Sequence, residues 1–194
     1  MRLLPFPPIL AALLILFSCA EARAHPGHEH PGEEVDEFDV EAFFAAAAHP
    51  FTGLDHLLTM LAVGALACGR RLGPGIAFGG AVGAGFVTGL ASPPWLLAVS
   101  LVLAGWFLWK GPPLAKTWIW GAVATIGFLH GGAHASGMSG LAAGMGLCAG
   151  TMAGVCLGGA AALGLRALSP VALRFAGASL AIIGVFLTVA RLSL

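Results

Sequence analysis

The chain has 194 residues, of which 58% are hydrophobic and only 9% are charged. A soluble domain of this size needs far more charge to cover its surface, so composition places the chain in lipid as an all-α, polytopic membrane helix bundle. The formal net charge is zero, yet eight of the nine acids fall between Glu21 and Glu41, and the ninth, Asp55, stands alone among apolar residues. No basic surface for nucleic acid is present.

Residues 1–24 carry Arg2, then the apolar run Ile9 to Phe17, and close on Ala22-Arg23-Ala24, a small-x-small sequence of the kind signal peptidase cleaves. A cleaved signal peptide is the expectation, and the mature chain then begins at His25. The alternatives are an uncleaved anchor and lipidation at Cys19, for which Phe17 and Ser18 make a poor lipobox. Residues 25–41 hold seven acids, the histidines His25, His28 and His30, and no basic residue. Such a segment cannot pack a core and reads as a solvated periplasmic tail, with histidines able to pick up cations.

Residues 42–194 then form the transmembrane domain. Apolar runs of roughly 17 to 25 residues recur, long enough to cross a hydrocarbon core of about 30 Å. Six are expected, at about 49–68, 72–92, 94–109, 117–136, 140–165 and 171–190, separated by glycine and proline signals. Lys and Arg favour cytoplasmic loops. With the mature N-terminus outside, Arg70, Arg71, Lys110, Lys116 and Arg166 fall inside and Arg191 falls outside, while Arg174 starts the last run near the inner face. Signal peptide and charge bias thus predict the same orientation in the inner membrane of a bacterium.

The 29 glycines include small-xxx-small series at Gly75/Gly79/Gly83, Gly85/Gly89, Gly140/Gly144 and Gly150/Gly154/Gly158, read as close helix packing. Cys68, Cys148 and Cys156 suggest packing rather than a disulfide framework. Met60 and Met138 are read as packing rather than as soft ligands.

Two segments carry the chemistry. His49-Pro50-Phe51-Thr52-Gly53-Leu54-Asp55-His56 opens the first run, and His130-Gly131-Gly132-Ala133-His134 closes the fourth. The orientation puts both near the outer face. On one continuous helix, with Pro50 in its first turn and His49 at its N-cap, His49 and His56 differ by about 700° and share a face. His130 and His134 share another. Asp55 points about 100° away from His56, which suits support of a ligand better than direct ligation.

A lone membrane histidine is often an interhelical hydrogen-bonding group. Four at one depth beside the one acid outside the N-terminal segment point to function, because ionisable groups in lipid are expensive. Imidazoles with one carboxylate suit Ni²⁺, Co²⁺, Cu²⁺ or Zn²⁺ better than Mg²⁺ or Ca²⁺. The competing readings are a periplasm-facing metal-binding accessory protein without transport, and a membrane-embedded metal or haem enzyme. No P-loop occurs in the chain.

These residues resemble the HupE/UreJ family of nickel permease and accessory proteins, whose first span carries a His-x5-Asp-His motif, here His49, Asp55 and His56. The surrounding HPFTGLDHLLTMLAVG is similar to the family signature, and so is the leader that ends before His-Pro-Gly-His. The family's second motif, Phe-His-Gly-x-Ala/Val-His-Gly-x-Glu, maps onto residues 129–137 with three departures, Leu129 for Phe, Ala135 for Gly and Gly137 for Glu. The resemblance implies a permease, not an enzyme, which imports nickel, or cobalt next, for hydrogenase or urease. It implies a site at His49, Asp55, His56, His130 and His134, no permanent cofactor, and a lipid-embedded chain compatible with a homo-oligomer. Since imidazole must be neutral to bind metal, uptake is expected to fall as pH drops toward about 6.

Overall fold

A computed structural model describes residues 38–68, 73–111, 116–135, 137–169 and 171–193. The expected signal peptide, Cys19, the tail histidines, and Arg70 and Arg71 lie outside the described residues. Among the described residues seven α-helices follow in order: α1 (Val40–Ala48), α2 (Leu54–Ala67), α3 (Gly73–Thr88), α4 (Pro94–Lys110), α5 (Lys116–His134), α6 (Leu141–Leu168) and α7 (Ala172–Leu192). Their ends follow the sequence punctuation. Pro94 starts α4, and Gly89, Gly111 and Gly140 sit at φ of 66°, 63° and 88° beside helix ends, a backbone region that side chains with a Cβ avoid.

The first expected run is broken. Asp39 caps α1, its carboxylate accepting from the Ala42 N–H at 2.9 Å. The helix therefore begins inside the stretch read as acidic tail. Pro50 has no N–H to continue the α1 ladder, a short 3-10 turn covers His49–Phe51, and Gly53 is extended before α2 starts. The two pieces meet at 80°. His49 is thus the C-cap of α1, not the N-cap of a continuous span, and the shared helix face expected for His49 and His56 does not exist.

By length and composition, α6 and α7 can each cross a membrane alone, and α1 with α2 can do so as one bent pair. The apolar helices α3 and α4 have 16 and 17 residues, about 24–26 Å at 1.5 Å per residue, slightly less than a typical hydrocarbon core. The outward face of α7 is lipid-like, with Phe175, Ile182, Phe186 and Val189 exposed. Trp95 begins α4, Trp109 ends it, and Trp118 and Trp120 begin α5, all exposed at helix ends as in an interfacial aromatic belt.

Packing is pairwise: α3 lies along α5, α4 along α7, and α6 receives α1 and α2. Close backbone approach requires glycine at several of these seams. A Cβ on Gly131 of α5 would overlap the Val82 carbonyl of α3, and Gly150, Gly154 and Gly158 of α6 lie against Ala47, Met60 and Leu61. Met60 therefore packs, as its sequence context suggested. Gly89 and Gly140 instead have open space around them and serve turns. Cys68, Cys148 and Cys156 are free.

Candidate metal site

The break between α1 and α2 and the C-terminal end of α5 are brought together. His49, on the 3-10 turn, lies edge-on to His134 with ring centroids 4.8 Å apart. His134 lies 4.6 Å from His56, and His56 lies 4.7 Å from His130. His130 in turn meets the ring of Phe78, on α3, at 6.2 Å. The four imidazoles thus form a file rather than a ring. Its two ends differ in exposure: His49 is exposed and His130 retains only 3% of its surface, while between them His134 retains 6% and His56 is half-buried. Phe78, fully buried, closes the far end.

Asp55 sits beside the file, 5% exposed. Its Oδ1 accepts the backbone N–H of His56 at 3.0 Å and lies 3.1 Å from His56 Nδ1. A carboxylate can only accept, so Nδ1 carries the proton and Nε2 keeps its lone pair. That Nε2 is buried without a partner, as is His134 Nε2. Oδ2 of Asp55 accepts from Arg191 Nη2 at 3.4 Å. The carboxylate thus orients His56 and pairs with Arg191.

At the deep end, Ser100 of α4 donates its hydroxyl proton to the Leu97 carbonyl at 2.6 Å and lies 2.9 Å from His130 Nε2. With its one proton committed, the hydroxyl can only accept from His130, so Nε2–H donates and Nδ1 keeps the lone pair. Ser100 and Arg191 were not singled out by sequence. Ser100 lies inside an apolar run with no motif around it, and Arg191 reads as a loop charge.

With metal–nitrogen bonds of about 2.0–2.1 Å, neighbouring imidazoles at these spacings can share one cation after side-chain rotation. As they stand, no three His, Cys, Asp or Glu side chains among the described residues are arranged to hold an ion together. The geometry offers successive pairs of nitrogen donors rather than a closed cage. Gly137, where the family pattern has Glu, is exposed, with nothing within 4 Å of where a Cβ would stand.

No curated protein and no solved structure matches the chain. A family model described as HupE / UreJ protein matches residues 12–187. The chain belongs to the HupE/UreJ family, a metal transport accessory family.

Proposed function

We propose that the protein is an inner-membrane permease that imports a divalent transition metal, nickel first and cobalt next, through six membrane crossings with its mature N-terminus outside. The observation that carries this is the file His49–His134–His56–His130, which runs from an exposed ring to a sealed one. A storage or cofactor site gains from a complete coordination shell. Passage requires a cation to be held at each step strongly enough to shed water and weakly enough to leave. Pairs of donors, with unpartnered nitrogens on His56 and His134, suit the second demand.

Nitrogen donors with one carboxylate nearby favour nickel, cobalt, copper or zinc over magnesium or calcium, and membership of a metal transport accessory family supports the choice of nickel or cobalt among them. Supply of the metal to hydrogenase or urease is the accompanying expectation. Uptake of radioactive nickel into vesicles carrying the protein, compared with Asp55→Ala and His130→Ala, tests the reading. Both variants are expected to lose about tenfold or more of the rate. Wild-type rates in both would remove the site assignment, and metal binding by the wild type without uptake would leave an accessory protein rather than a permease.

A further inference from the structure

Three buried side-chain polar atoms among the described residues have no hydrogen-bond partner. Two are the Nε2 atoms of His56 and His134, already in the file. The third is the hydroxyl of Thr59, a residue fully buried on α2. A threonine in a helix ordinarily satisfies its hydroxyl by donating to the carbonyl four residues back. Thr125 and Thr188 do so here, to Gly121 and Gly184 at 2.9 and 2.7 Å. Thr59 has the same option toward Asp55 and does not take it. Buried polar groups are nearly always paired, and an unpaired one calls for a water, an ion or a function.

Its position suggests which. Thr59 lies three residues beyond His56 and four beyond Asp55 on an unbroken helix, so it shares their face one turn further on. Beyond it, Met60, Val63 and Leu66 are buried and apolar. Thr59 is therefore the next polar residue along α2 after His56. A hydroxyl oxygen is also a poorer donor than imidazole to a borderline-soft cation. A step from nitrogen to oxygen lowers affinity in the direction of release.

We propose that the Thr59 hydroxyl oxygen is a transit station beyond the imidazoles, a weak donor to the cation as it leaves the file. The inference rests on the permease reading and adds a residue that acts on movement rather than on capture.

The full-length protein in detergent and in vesicles tests it with Thr59→Val, which keeps the shape and removes the hydroxyl, and Thr59→Ser, which keeps the hydroxyl. Three quantities are read: the nickel dissociation constant, the uptake rate at saturating nickel and the thermal midpoint. The expectation for Thr59→Val is a dissociation constant within about twofold of wild type, an unchanged or higher midpoint, and a saturating rate lowered about tenfold. Thr59→Ser should restore the rate. A wild-type rate in Thr59→Val overturns the proposal. So does a dissociation constant that weakens in step with the rate, or a midpoint that falls in both variants, which marks a packing role. A wild-type protein that binds nickel without transporting it removes the permease reading beneath, a different failure from normal transport by Thr59→Val.

Discussion

The pairs α3–α5 and α4–α7 are built by the same device and put to different uses. In each, glycine lets two backbones touch: Gly131 against Val82 in the first, Gly177 against Trp109 and Leu108 in the second. The first pair turns polar side chains inward and carries His130 and His134 into the bundle. The second turns Phe175, Ile182 and Phe186 outward and gives the site only Ser100 from α4 and Arg191 from α7. Close packing is thus a general scaffold here, and function is set by which side of a seam the few polar residues occupy.

The largest expected effect comes from breaking one seam and then the other. Gly131→Leu forces a side chain into the Val82 carbonyl and should cost about 3 kcal/mol, with nickel binding lost as α5 is displaced. Gly177→Leu should lower the thermal midpoint comparably while the folded fraction keeps its nickel affinity. Equal loss of binding in both would show that the two pairs are not separable in function.

A smaller effect is expected where the second pair touches the file. Ser100→Ala frees His130 to exchange its ring proton between nitrogens and should weaken nickel binding about tenfold. Nitrogen-15 shifts of His130 in the metal-free protein check the cause, since wild type should show a protonated Nε2 and the variant a mixture. The smallest belongs to Arg191→Gln. Removing a permanent positive charge from Asp55 should tighten nickel binding by about two- to threefold, and less in high salt, because the Arg191 side chain is 43% exposed. Weaker binding in this variant would mean that Arg191 holds Asp55 in place rather than competing with the cation.

Most helix limits were legible because proline and glycine mark them: 94–109 was expected against Pro94–Lys110 found, and 171–190 against Ala172–Leu192. The meeting of the two histidine motifs was also legible, since alternating crossings put the start of one run level with the end of another. The break at Thr52–Gly53 was misread for a physical reason. Pro50 is equally at home in the first turn of a helix and just after the end of one, and apolar Phe43 to Ala48 before it carry no periodicity that separates the cases. Thr59, Ser100 and Arg191 were not legible, because each matters through one tertiary contact, or the lack of one, and leaves no local pattern.

The 80° break has an electrostatic consequence. A helix through residues 40–67 without interruption would bury its mid-chain carbonyls in its own ladder. Instead α1 ends at His49 and α5 ends at His134, so the C-terminal ends of two helices, each equivalent to roughly half a negative charge, lie beside the file. The opposing positive end of α2 also lies there, and Asp55 in its first turn offsets it. The potential at the outermost imidazole therefore includes a contribution from backbone dipoles beside that of the Asp55 carboxylate. Unlike imidazole, those dipoles carry no protonation state and do not change with pH.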